Sequence, residues 1–357
     1  MPSLDLFSTY TLRAIVDEIK PEHFFFSSRY FPTGADDIFK SDKVLTEYRK
    51  NDRKMAAFVA DRGSPIPVER EGYEMSEYSP ANIVISRGLS VDDLTKRGFG
   101  EALFSNLAPA QRAARLQQKD LIDLNKMIAR REEWMCVQTM IDNACTMQEY
   151  VDAKTIGNVK HIQFYEGSSS EHKYTVANKW NSSDGNIVGD VKAMCDLLAK
   201  RGLNAADLII GADVEDAFYS DPKIRELLDR NLAIDFGSIN EKIQYPGVST
   251  LGTFNFRGYA LRIFVVNTSY ENDSGVTTPY FPKDAAMVTF PKCGHLMYGA
   301  KTQLKYKSSE YETIAAKRIP KFFIDERADT RELILTSRPL AAPVAYCPYI
   351  FAANVVS

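Results

Sequence analysis

"AQRAARLQQKDLIDLNKMIARREEWMCVQTMIDNACTM" occupies residues 110–147. From 110 to 156 the chain contains neither Gly nor Pro, and Pro109 stands where a first-turn proline belongs. Strong helix formers dominate the stretch. Leu121, Leu124, Ile128 and then Trp134, Val137, Ile141 and Ala144 recur at spacings of three and four, the period of a helix with one buried face. The pattern predicts one helix from Pro109 to about residue 148, about 60 Å long at 1.5 Å per residue. The mean globular helix has only about 11–12 residues. A coiled coil is the second reading, but the apolar spacing is not a strict heptad and the flanks are globular.

On the N-terminal side, Leu12, Ile15, Val16 and Ile19 predict a short amphipathic helix over 8–20, stopped by Pro21. "PEHFFFSSRYFP" follows at 21–32. Its Phe24, Phe25, Phe26, Tyr30 and Phe31 form a candidate packing strip. Extended, they would point to alternating sides, one toward this subunit and one toward a neighbour; packing wholly within one subunit is the alternative. Residues 55–90 have strand-like ends, "AAFVAD" and "NIVISR", around Gly63, Pro65, Pro67, Gly72 and Pro80. The Pro and Gly content excludes a helix. The stretch reads as a long two-stranded excursion with a charged tip. Asp61, Arg62, Glu69, Arg70, Glu71 and Glu77 are its candidate inter-subunit contacts. A lone two-stranded ribbon is marginal in water, so one this long needs support, and in a polymer another subunit could give it.

On the C-terminal side, 161–178 reads as two strands around a polar loop. Ile187–Arg201 reads as an amphipathic helix closed by Gly202. "ADLIIG" is a buried strand, Val214–Tyr219 and Lys223–Leu232 are helical pieces, and 253–267 is a hairpin turning at Arg257-Gly258. "AMVTF" at 286–290 is a further strand. Pro339, Pro343 and Pro348 punctuate the last strands and confine them to ends or edges. The order is α+β, without regular βαβ alternation.

A chain of 357 residues buries about 75% of its unfolded surface. It is 45% hydrophobic and 25% charged, with net charge −3, which argues against a dedicated nucleic-acid binder. Asp5 and Asp17 interrupt any secretory h-region, and no apolar run approaches the ~20 residues of a membrane span, so a cytosolic chain is expected. The five cysteines (Cys136, Cys145, Cys195, Cys293, Cys347) are odd in number and widely spaced, unlike a disulfide framework.

Catalytic patterns are missing. Gly98-x-Gly100 lacks the third glycine of a dinucleotide loop and is no phosphate loop, and GxSxG and HExxH do not occur. Cys293 and His295 are the one close Cys/His pair and lack zinc spacing. Asp213, Glu215 and Asp216 read as acids favoured at a helix N-terminus. No catalytic, cofactor-binding or metal residue is assigned. An enzyme using the carboxylates near Asp213 or the Cys293 thiol remains as an alternative. The prominent features are a long helix, a protruding ribbon and an aromatic arm, all parts that reach away from a compact centre and suggest assembly.

The order of these parts resembles the tailed-bacteriophage major capsid proteins, most closely the lambda-like E family. The similar stretches are "FFFSSRYFPT", "REGYEMSEYSPANI", "APAQRAARLQQKDLIDL", "YFPKDAAMV" and "ADTRELILTSRPLAAPVAYCPYIFAANVV". The resemblance implies the Hong Kong 97-type capsid fold: an N-terminal arm (1–50), an extended β-hairpin loop (51–95), a peripheral domain (96–180 and 306–336) with a spine helix over about 109–150, and an axial domain (181–305 and 337–357). It implies an icosahedral head shell around packaged double-stranded DNA, with no cofactor and no active site. Expected partners are copies of the chain in hexamers and pentamers, a separate scaffold protein, a portal, decoration or head-completion proteins, and DNA held only non-specifically; no membrane is involved. The expected place is the virion, assembled in the host cytoplasm. An encapsulin-type compartment shell is the alternative of related architecture.

Overall fold

The computed structural model describes residues 24–48, 74–90, 109–151, 155–165, 170–231, 245–272, 274–305, 309–325 and 330–356. The helix expected over 8–20 and the middle of the charged loop lie outside these residues.

The aromatic arm is not extended. Phe25–Arg29 form a short helix, α1, followed by a tight turn in which Tyr30 and Phe31 both donate to the Phe26 carbonyl. Five residues cannot hold a helix by themselves; a side chain from elsewhere caps this one, as described below. The legs of the ribbon are β1 (Val44–Tyr48) and β2 (Glu74–Tyr78), paired antiparallel from Val44–Tyr78 to Tyr48–Glu74. "NIVISR" is not a ribbon leg. It forms β3 (Ile83–Leu89), and its alternating burial reflects one face on a helix and one toward solvent.

Pro109–Asp142 is a single helix of 34 residues, α2, about 51 Å long at 1.5 Å per residue. It ends before the expected 150. Asn143 takes a left-handed conformation, φ 50°, which Asn tolerates better than most residues. Its side chain is locked there: Nδ2 donates to the Phe164 carbonyl at 2.7 Å, and the Tyr349 hydroxyl donates to Oδ1 at 2.6 Å. The chain then reverses into β4 (Ala144–Tyr150), which pairs with β5 (Ile156–Gln163). The strand pair expected over 161–178 is therefore absent. Residues 161–163 pair backward with β4, and β6 (Lys173–Tyr174) joins another sheet.

The α/β region follows the sequence pattern closely. Helices α3 (Ile187–Lys200), α4 (Ala212–Ser220) and α5 (Pro222–Asn231) alternate with β7 (Asp207–Gly211) and precede the hairpin β8 (Val248–Phe256) and β9 (Tyr259–Val266). Arg257 and Gly258, both at positive φ, make its two-residue turn. A small pair, β10 (Ser269–Glu271) and β11 (Thr277–Pro279), leads to β12 (Ala286–Thr289). Then come β13 (Gly294–Tyr298), the hairpin β14 (Lys301–Leu304) and β15 (Tyr311–Ile314), β16 (Ile319–Asp325), β17 (Thr330–Ser337), β18 (Pro339–Pro343) and β19 (Ile350–Ala352).

The main sheet runs β6-β19-β12-β7-β9-β8 and is buried on both faces. Leu208, Ile210, Ile263, Ala286 and Val288 face α3 and α4, packing with Val191, Leu198, Val214 and Phe218. Ile209, Phe264, Val266 and Met287, their alternates, face the arm aromatics and the C-terminal half of α2. The N-terminal half of α2 lies on the sheet β16-β17-β3, where Leu121, Leu124 and Ile128 pack on Phe322, Leu333 and Leu335. One helix thus ties both halves together. The pair β13–β18, with Pro339 and Pro343 at its ends, packs with the same core.

Candidate assembly site: the clamped arm and the charged ribbon

Two adjacent glutamates on α2 organise the centre. Glu133 is buried, and its carboxylate accepts the backbone N–H of Phe26 at 2.7 Å and of Ser27 at 2.8 Å. These are first-turn donors of α1, which have no partner inside the helix. Burial pushes the Glu133 carboxyl up to about 7, and the two N–H donors only partly oppose it. Glu132, facing the other way, receives both terminal nitrogens of Arg318 and the Tyr298 hydroxyl.

The arm has a second tie. The Arg29 guanidinium meets Asp207 at the start of β7 in a two-pronged bond, 2.7 Å and 2.8 Å, and lies over the Phe264 ring. The Tyr30 hydroxyl donates to the same carboxylate at 3.0 Å. Phe31 fits only because residue 294 is glycine: a Cβ there would sit 2.2 Å from its ring. Phe25, Phe26, Tyr30 and Phe31 are thus covered by this chain's own residues, and Phe24 is half-buried at the helix start. Phe25 touches the rings of Phe26, Tyr30, Tyr245 and Phe264 at centroid distances of 5.0–5.4 Å.

Asp61, Arg62, Glu69, Arg70 and Glu71 lie outside the described residues. Glu77 is on β2, half-exposed, with Lys43 Nζ at 2.9 Å from Oε2. The partner found for Glu77 is therefore in its own subunit. At the other end, Arg87 on β3 reaches Asp120 and Asp123 of α2 at 2.9 and 3.1 Å. The sequence pattern missed the residues that fasten the frame: Arg29, Glu132, Glu133, Asp207 and Arg318. One signal was available, a Glu-Glu pair inside the most apolar third of a long helix.

The chemical alternatives find little support. Asp213 and Glu215 lie in the first turn of α4, where the helix dipole favours acids. Among the described residues no three His, Cys, Asp or Glu side chains converge on a metal-sized site. Cys293 is fully buried, and burial pushes its thiol up to about 12, the reverse of an activated nucleophile. Among the described residues no helix is long and apolar enough to cross a membrane. Met75 on β2, Val151 and Ile156 at the β4–β5 turn and Tyr311 on β15 are exposed apolar side chains; scattered singly, they are ordinary for a folded surface.

The family model of phage major capsid protein E matches residues 8–352. The chain belongs to that family. As a phage major capsid protein, it is a component of the virion shell, a role carried out by many copies of one subunit, and the family is a structural one. The fold agrees. The capsid protein of a prophage from E. coli CFT073 superposes with TM-score 0.67 at 16% identity, over 97% of this chain and 98% of that one. A phage-related protein from Bordetella bronchiseptica RB50 has TM-score 0.49 at 12% identity, covering 98% of each chain. The mature capsid of bacteriophage PhiM1 has 0.47 at 11%, covering 94% of this chain and 89% of that one. No curated protein matches the chain. This capsid protein has the Hong Kong 97-type architecture: spine helix, main sheet and ribbon.

Proposed function

We propose that this capsid protein builds an icosahedral head from hexamers and pentamers of itself, enclosing packaged double-stranded DNA. The observation that carries this is the family match along residues 8–352, on a subunit whose long helix packs on two sheets. In this reading residues 1–50 are the arm and 51–95 the extended loop. Residues 96–180 and 306–336 form the peripheral domain, and 181–305 and 337–357 the axial domain. The loop lies over a neighbouring subunit, where Asp61, Arg62, Glu69, Arg70 and Glu71 make charge pairs that set register, while Glu77 stays with Lys43 of its own chain. A net charge of −3 suits a wall that must not hold DNA during packaging, since a basic wall would bind it by counterion release. Assembly takes place in the host cytoplasm with a separate scaffold protein, a portal and head-completion or decoration proteins. Sedimentation of the chain co-expressed with that scaffold tests the reading. Megadalton particles are expected; monomer alone at every concentration contradicts it.

A further inference from the structure

At the foot of the ribbon lies a half-open cleft of about 590 Å³, lined by Lys40, Ser41, Asp42, Asn82, Lys301 and Arg338 together with Ala300, Thr302 and Thr313. Its walls come from the segment before β1, the segment between β2 and β3, the β14–β15 hairpin and the start of β18. Three cations face one carboxylate there. That carboxylate compensates poorly: Asp42 is 64% exposed, and its Oδ2 stands 3.9 Å from Arg338 Nη1. Among the described residues Arg338 otherwise meets only dipoles, donating to the carbonyls of Ala300 at 3.2 Å and Pro80 at 3.3 Å. Its Nε is shut off from solvent with no acceptor among the described residues. Lys301 is bonded to a neutral group, the Thr336 hydroxyl, at 3.0 Å.

A half-buried cation normally has a counter-charge, because desolvation without pairing is expensive. Here one is short. Burial, together with the charges of Lys321 and Arg338, holds the Lys301 ammonium below its ordinary range. The volume falls in the range of about 300–1,000 Å³ typical of ligand sites, but the rim is polar, so an acceptor-rich group suits it better than an apolar one.

We propose that this cleft seats a carboxylate presented by a second copy of this chain. The inference rests on the shell reading, which surrounds each subunit with copies of itself. The chain's Asp and Glu, 47 against 44 Lys and Arg, make those copies a supply of the missing charge. Seating a neighbour's carboxylate here would fix the ribbon foot and the β14–β15 hairpin together.

The test compares lysine acetylation in unassembled subunits and in shells, with Lys301 read by mass spectrometry, alongside Lys301→Gln and Lys301→Arg. Lys301 should react readily in subunits and several-fold more slowly in shells. Lys301→Gln should leave the subunit's unfolding midpoint unchanged or higher, since it relieves crowding with Lys321 and Arg338. It should lower the denaturant midpoint for shell dissociation, and Lys301→Arg should hold that midpoint. Equal acetylation in both states, or Lys301→Gln shells as resistant as wild type, would overturn the inference. Inorganic phosphate protecting subunits as fully as assembly does would assign the cleft to a free oxyanion and overturn the choice of a second copy. Failure of the wild-type chain to form shells at all would overturn the shell reading and this inference with it, an outcome separable from the others.

Discussion

Glu132 and Arg318, 186 residues apart in the chain, meet fork to fork: Nη1 donates to Oε1 at 2.6 Å and Nη2 to Oε2 at 2.8 Å. Both are almost wholly buried. The pair joins the C-terminal third of the spine helix to the strand that begins at Ile319, and Tyr298 adds a third donor. Removing one member leaves an uncompensated buried charge, which costs about 3–5 kcal/mol. Arg318→Met should lower the unfolding free energy of the unassembled subunit by that amount in urea titrations. Adding Glu132→Met should recover part of the loss, leaving about 1–3 kcal/mol for the orphaned Tyr298 hydroxyl.

Glu133 gives a pH signature. Its carboxyl rises from 4.5 to about 7 on folding, chiefly through burial. Between those values the folded chain holds a proton that the unfolded chain has lost. The stability this group contributes is therefore full below pH 4.5 and is lost as pH climbs through 7, by about 3 kcal/mol in all. Glu133→Gln keeps an acceptor for the arm and removes the titration. The difference in urea midpoint between pH 5 and pH 8 should shrink in the variant. An unchanged difference would show that Glu133 does not titrate in this range.

Asp207 anchors the arm to the main sheet through Arg29 and Tyr30. Asp207→Asn removes the charge at constant size and should cost about 1.5–3 kcal/mol, the range for hydrogen bonds to charged groups. The arm should loosen more than the rest of the chain, because the Glu133 cap and the backbone bonds from Lys292 and Gly294 to the Arg29 and Tyr30 carbonyls are then its remaining polar ties among the described residues. Limited proteolysis should show faster cleavage among Phe24–Phe31, with a smaller change elsewhere. An unaltered cleavage pattern would mean that the arm is held without the Asp207 charge.

Much of this fold is written locally. The spine helix follows from 47 residues without Gly or Pro, and the β8–β9 turn from Arg257-Gly258. The arm was harder to read. Three consecutive phenylalanines look like an extended strip, yet Phe25–Arg29 is helical because Glu133, more than a hundred residues away, caps it. The helix ends earlier than its sequence suggests, because residues 144–148 are themselves compatible with a helix. Only Asn143, held by Phe164 and Tyr349, turns the chain. From sequence the strand at 83–89 reads as part of the ribbon because its partner, β17, lies about 250 residues later, and such pairings leave no local trace. The clamp residues escaped for the same reason.

The loop carries a separate prediction. Reversal of Arg70 to Glu should weaken assembled particles while leaving the subunit folded, and the effect should diminish as salt is raised, since exposed charge pairs are screened. Dissociation measured by light scattering across salt concentrations checks this. Particle stability equal to wild type at low salt would remove Arg70 from the interface.

The most direct measurement is an electron micrograph of the purified chain expressed with its scaffold. Closed shells of uniform diameter, with the chain in rings of six and five, are predicted. Dispersed subunits alone, at every concentration and ionic strength, would contradict the shell function.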